Sequence, residues 1–186
     1  MRQIEERRPV EGAVEGFAAA HGQSLLTFAY LLTGGDRAQA EDLVQSVLAA
    51  LVLRGLDGLR QPHAYARRSI VNEYTSQGRR GSIHRRMLAR WSGGARGHLP
   101  GPEPEDRLAV LDALRDLTEK ERSAVVLRYF EDLPDAEIAD ILGCSRSTVR
   151  SLVHRALPKL RVRLGSTYST GATTPTDVTE RSGRDE

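Results

Sequence analysis

Residues 143–161 read GCSRSTVRSLVHRALPKLR, and the side chains in that run are of the kind that hold polyanions. Six lysines and arginines fall between Cys144 and Leu164 without one acid, in a chain of formal net charge only +2. With Ser145 as N-cap, Val149, Leu152, Val153, Ala156, Leu157 and Leu160 form one apolar stripe. Ser147, Arg150, Ser151, His154 and Arg155 occupy the opposite arc. Upstream, PDAEIADILG reads as a short amphipathic helix with Ile138, Ala139, Ile141 and Leu142 inward, and Gly143 permits a sharp turn into the next helix. That is helix-turn-helix spacing, in which the start of the second helix enters the major groove and its side chains reach base edges. Charge alone would fit a solvated basic face; the glycine turn and the preceding helix point to DNA. Pro158 interrupts the backbone donors of this helix and predicts a kink near His154.

Other chemistries find little support. Cys144 is the single cysteine, so no disulfide or CxxC site can form; it reads as a small buried residue of the turn and not as a redox sensor. His21, His63, His84, His98 and His154 lack metal-ligand spacing. No Gly-rich phosphate loop, nucleophile elbow, HExxH or paired-carboxylate arrangement occurs, and the acids fall on expected helix caps and exposed faces. The expectation is a non-enzyme with no metal and no cofactor. Neither a spanning apolar run nor an apolar segment behind MRQIEERRPVEG is present, which predicts a cytoplasmic protein without membrane insertion.

Helical spacing recurs throughout and period-two alternation does not, so the fold class is all-α. A first helix spans roughly 17–32 and stops at Gly34 and Gly35. Asp36 to Gln39 has the form of a capping box, followed by Ala40, Leu43, Val44, Val47, Leu48 and Leu51 at helical spacing. After RGLDGLRQ, Pro62 opens a third helix with Ala66, Ile70, Val71 and Tyr74 on one face. Between Thr75 and Pro102 the periodicity fades and six arginines occur without an acid. The charge then reverses through Glu103, Glu105, Asp106, Asp112, Asp116, Glu119 and Glu121, with Thr118 to Glu121 a second capping box. These observations divide the chain into a mobile arm (1–16), a three-helix unit (17–80), a flexible basic linker (81–104), a second helical unit (105–164) and a disordered Ser/Thr/Gly tail (165–186).

YFEDLPDAEIADILGCSRSTVRSLVHRALPKLR resembles region 4 of the sigma-70 family, in the extracytoplasmic-function (ECF) group. YLLTGGDRAQAEDLVQSVLAAL resembles regions 2.1 to 2.2, PHAYARRSIVNEYTSQGRR resembles regions 2.3 to 2.4, and the wording is similar to an actinobacterial subgroup. The resemblance implies a promoter-specific transcription initiation factor that binds core RNA polymerase. It implies that Asp42, Leu43 and Gln45 dock on the coiled coil of the largest polymerase subunit, although Leu43 also belongs to the apolar stripe. It further implies that Tyr65, Arg67, Arg68 and Asn72 face the −10 element, that RGLDGLRQ receives a flipped base, and that Arg146, Ser147, Thr148, Arg150, Ser151, His154 and Arg155 read the −35 element. Promoter DNA and an anti-sigma factor are the other implied partners. Tyr65 stands where family members often carry tryptophan, which leaves little aromatic area for strand opening. The alternative is a helix-turn-helix regulator that binds operators as a dimer without polymerase, for which residues 17–80 are too short and too helical to form a βα-repeat receiver.

Overall fold

The computed structural model describes residues 7–88 and 104–169, with side chains described over 12–76 and 106–165. Every regular element among the described residues is an α-helix: α1 Arg7–Leu32, α2 Arg37–Arg54, α3 Pro62–Leu88, α4 Pro104–Arg115, α5 Glu119–Tyr129, α6 Asp135–Leu142 and α7 Arg146–Ser169. Several ends differ from the sequence reading. Helix α1 begins ten residues before Phe17, inside the expected arm, because Val14 packs into the core one turn ahead of it. Helix α3 runs to Leu88 and α7 passes Pro158 to Ser169, into the expected linker and tail. The rest of the expected arm, linker and tail lies outside the described residues. Among the described residues no helix is long and apolar enough to cross a membrane.

Local chemistry explains the helix boundaries. Gly34 and Gly35 adopt φ of +66° and +89°, and the Gly35 N–H returns to the Tyr30 carbonyl at 2.8 Å, satisfying an acceptor at the end of α1. A side chain at Gly34 would also collide with α4, since its Cβ would lie 2.9 Å from Arg115 Cγ. The Asp36 carboxylate accepts from the Gln39 N–H at the start of α2. Thr118 and Glu121 complete a reciprocal capping box at α5, and the Ser145 hydroxyl accepts from the Thr148 N–H at α7.

One apolar cluster runs through both units, from Val14, Phe28, Leu43 and Ile70 to Val126, Ile138, Val149 and Ala156. Burying each such side chain contributes about 1.5–3 kcal/mol. A buried cation sits across the seam. Arg122 of α5 is buried and donates five hydrogen bonds: Nε to the Leu114 carbonyl, Nη1 to the Leu32 carbonyl and the Tyr74 hydroxyl, and Nη2 to the carbonyls of Arg115 and Leu117. These use the guanidinium's full donor set, so its desolvated charge is satisfied without a carboxylate. Replacement by methionine would preserve bulk and leave these acceptors short of a donor. Arg122→Met is expected to lower unfolding stability by ~3 kcal/mol or more, read by thermal or urea denaturation, with Arg122→Lys recovering only part because it supplies fewer donors in a different geometry.

Candidate nucleic-acid interface

Helices α6 and α7 meet across Gly143, Cys144 and Ser145. Gly143 is left-handed (φ +61°), and the Cys144 N–H reaches the Ala139 carbonyl at 3.0 Å, turning the chain within three residues. Cys144 is half-buried against the core. The Ser145 hydroxyl also lies 2.8 Å from those of Ser147 and Thr148, organising the first turn of α7. Val149, Leu152, Val153 and Ala156 are buried, while Leu157 and Leu160 are half-buried beside them. Arg146, Ser147, Thr148, Arg150, Ser151, His154 and Arg155 are all exposed, and the last four named around the arc (Arg150, Ser151, His154, Arg155) line one open concavity. The structure therefore gathers the whole expected reading set on the first turns of one helix.

Two acids approach this arc from other helices. Asp135 of α6 pairs with both Arg128 of α5 and Arg150 of α7, the latter at 3.0 Å. Glu121 of α5 accepts from Lys159 Nζ at 2.8 Å and lies 3.5 Å from Arg155 Nε. Glu121, the expected capping-box acid, is only 4% exposed because it is turned beneath α7. Burial pushes its pKa up, but the hydrogen bonds from Lys159 and Thr118 outweigh this and hold the carboxyl below its ordinary value. Arg163, farther along α7, pairs with Asp116.

In the first unit, Asp42 and Gln45 are exposed on α2, and the same edge continues through Ala49 to Leu53, which is 79% exposed. Leu43 is fully buried, so its expected direct contact with polymerase is corrected: it points between the helices and can act only by holding α2 in place. On α3, Tyr65 is half-buried with the Arg54 guanidinium 4.8 Å above its ring. Arg67 pairs with Glu131 in the α5–α6 connection, and Arg68 Nη2 donates to the Asp140 carbonyl at 3.2 Å. Arg68 and exposed Asn72 line a cleft of about 520 Å³ with Lys120, Asp140 and Gly143. Arg67, Arg68 and Asn72 thus share a face directed at the second unit, and Tyr65 stands apart from them. Arg122 and Glu131 are functional candidates that spacing did not single out, because their partners lie far away in the chain. His63 and His21, distant in sequence, bring their rings to 5.0 Å.

A buried apolar support under an exposed Arg/Ser/His arc, turned on a left-handed glycine, defines a helix-turn-helix DNA-binding protein, here joined to a helical partner unit. Residues 107–160 match the family described as Sigma-70, region 4. The chain is 36% identical over 131 residues to RNA polymerase sigma-E factor of Streptomyces antibioticus, covering 69% of this chain and 72% of the relative. It is 31% identical over 159 residues to ECF RNA polymerase sigma factor SigL of Mycobacterium tuberculosis, covering 77% and 84%. In fold it is similar to the sigma factor RpoE of Bartonella quintana, solved with the anti-sigma factor NepR (TM-score 0.57, 24% identity, 81% of this chain and 96% of that one). A second solved structure, CnrH with the cytosolic domain of CnrY, gives a TM-score of 0.56 at 23% identity, covering 88% and 94%. The chain belongs to the sigma-70 family, as an RNA polymerase sigma factor of the ECF group.

Stability should report on the seam through His63. Burial first, and the Arg67 charge second, push its pKa below the ordinary 6.5, with Glu131 opposing. A depressed histidine pKa means that, as pH falls below about 6.5, the unfolded chain takes up a proton that the folded chain refuses, so stability falls until the folded pKa is passed. Glu121 contributes in the same direction only at more acid pH, as it falls below about 4.5. Thermal midpoints are expected to drop between about pH 7.5 and 5.5, and His63→Gln should flatten that drop; an unchanged drop would assign it to another group.

Proposed function

We propose that three surfaces of this sigma factor divide its work, and that the observation carrying the reading is the exposed arc of α7 backed by its buried stripe. Arg146, Ser147, Thr148, Arg150, Ser151, His154 and Arg155 enter the major groove at the −35 element; Arg150, exposed and tied only to Asp135, is placed to exchange that pair for a base edge. Arg67, Arg68 and Asn72, with Tyr65 at the start of the same helix, take the −10 element. The edge of α2 bearing Asp42 and Gln45 docks on the coiled coil of the largest subunit of core polymerase, with Leu53 supplying apolar contact. Bond formation belongs to the polymerase, and this chain binds and positions without catalysis, in the cytoplasm where promoter and polymerase meet. An apolar groove of about 420 Å³, lined by Leu31, Val110, Leu111, Tyr129, Phe130 and Leu164, suits an apolar helix of an anti-sigma partner, the class of protein bound by the RpoE of similar fold.

Run-off transcription with core polymerase on a promoter library tests the whole reading: specific transcripts are expected, and tight operator binding by the chain alone, with no gain from polymerase, would favour the dimeric regulator. In the same assay Arg150→Ala is expected to cost about 1–3 kcal/mol at −35 sequences it reads, about five- to 150-fold, while leaving the thermal midpoint almost unchanged because an exposed ion pair contributes little. A uniform loss across all −35 sequences would assign Arg150 to phosphate. Arg163→Ala should affect promoter choice less, since that side chain is engaged by Asp116.

For the polymerase surface, Asp42→Ala with Gln45→Ala should keep the helical circular-dichroism signal and weaken capture by core polymerase in a fluorescence titration. Equal binding by the folded double variant would remove this edge of α2 from the interface.

A further inference from the structure

Two histidines far apart in sequence meet inside the first unit. His21 of α1 and His63 in the first turn of α3 bring their rings to 5.0 Å between centroids, tilted by 42°. Both residues are half-buried. Phe17, one turn earlier on α1, is buried and holds its ring 4.9 Å from that of His21, which restricts the imidazole. Nε2 of His63 is buried and has no hydrogen-bond partner among the described residues. A ring nitrogen withdrawn from water without a partner is costly, and a metal ion is one ligand that would satisfy it. The separation suits such an ion. With metal–nitrogen bonds of about 2.0–2.1 Å and a ring centre about 1.1 Å behind each nitrogen, angles of about 90–110° at the metal put the two centroids about 4.5–5.2 Å apart. The tilt imposes no further condition, because each imidazole can turn about its bond to the metal.

We propose that His21 and His63 form a site for one divalent transition-metal ion of the zinc, nickel or copper class, bound through one nitrogen of each ring and completed by water. No group of three or more histidine, cysteine or carboxylate ligands occurs among the described residues. Two protein ligands leave positions open, so the ion exchanges with solvent and is not a closed structural centre. Imidazole selects these metals over magnesium and calcium, which take oxygen ligands, and the affinity order places copper above nickel and zinc. The surrounding charge is balanced: Arg67, one turn along α3, opposes a cation beside His63, and Glu131, with which Arg67 is paired, favours it. An ion held by both rings cross-links α1 to the start of α3, and because the unfolded chain does not bring the rings together, binding stabilises the first unit.

The test uses the full-length chain without a histidine tag, stripped with chelator, and zinc chloride, copper sulfate and magnesium chloride as probes. Isothermal titration is expected to show one zinc ion per chain, and the thermal midpoint should rise with zinc concentration and follow the same affinity. Bound copper should give electron paramagnetic resonance hyperfine structure from two imidazole nitrogens, and magnesium should produce neither heat nor a midpoint shift. His21→Gln and His63→Gln should each keep the helical circular-dichroism signal, weaken zinc binding by about tenfold or more and leave one imidazole nitrogen in the copper spectrum. His21→Phe keeps an aromatic ring between Phe17 and His63 and takes the place of His21→Gln if glutamine unfolds the chain. Cys144→Ser is expected to change none of these readings. A parent that gives no zinc heat and no midpoint shift overturns the site and leaves the rings as a packing contact. Zinc binding that survives both histidine substitutions, or is lost in Cys144→Ser, places the ion elsewhere and overturns it too. So does a parent copper spectrum with fewer than two imidazole nitrogens.

Discussion

The buried guanidinium of Arg122 constrains the arrangement more than any single apolar contact does. Its acceptors include the Leu32 carbonyl at the end of α1 and the Leu114 and Arg115 carbonyls at the end of α4, where helix dipoles concentrate negative potential. Desolvation is the main influence on this group and disfavours its charge, so the charge persists because each N–H has an acceptor. Moving α5 relative to α1 or α4 would strand both the cation and the carbonyls. The neighbouring residue faces the other way. Glu121 closes the capping box with Thr118 and holds Lys159 and Arg155 of α7, so two consecutive residues tie the reading helix on one side and the first unit on the other.

The opposite charge blocks of the sequence become intramolecular pairs of graded strength. Arg150 and Asp135 form an exposed pair with the arginine side chain 71% accessible, which contributes at most about 1 kcal/mol and yields readily to a competing phosphate or base. The pair of Arg67 and Glu131 is largely withdrawn from solvent, so separating it leaves a buried carboxylate uncompensated until water or a partner reaches it. The chain's small net charge of +2 thus conceals two arginine sets, one on α3 and one on α7, each with an acidic counterpart on another element.

Much of the fold was legible because it rests on local rules. Asp36, Thr118 and Ser145 cap helices through their own side chains, Gly34 and Gly143 accept left-handed backbone, and the stripes on α2, α3 and α7 follow helical periodicity. The ends of helices were less legible. Residues 7–16 carry no helical apolar stripe in RRPVEGAVEG, yet Val14 packs one turn before Phe17, and α3 continues past its last buried aromatic, Tyr74, where glycine and arginine erase the apolar stripe. The candidate site divided in the same way. The arc of α7 follows from spacing within one helix, whereas the partner of Arg67 lies 64 residues away and that of Arg122 at Leu32 lies 90 residues away, beyond the reach of any periodicity. Leu43 shows the complementary error, since family resemblance placed it at an interface while its position on the stripe placed it in the core.

Accessibility separates the three surfaces in a way that charge does not. The edge of α2 and the arc of α7 are open; on α3 Arg68 and Asn72 are exposed as well, and Arg67 alone is withdrawn beside Glu131. The three differ in what opening would require. A protein docking on α2 meets side chains already in place, so its contact energy is not spent on rearrangement. A ligand approaching the arc of α7 meets Arg150 paired with half-buried Asp135, and Arg155 beside Glu121. A ligand of Arg67, by contrast, must displace Glu131 and also part helices that share a continuous apolar cluster and the Arg122 network.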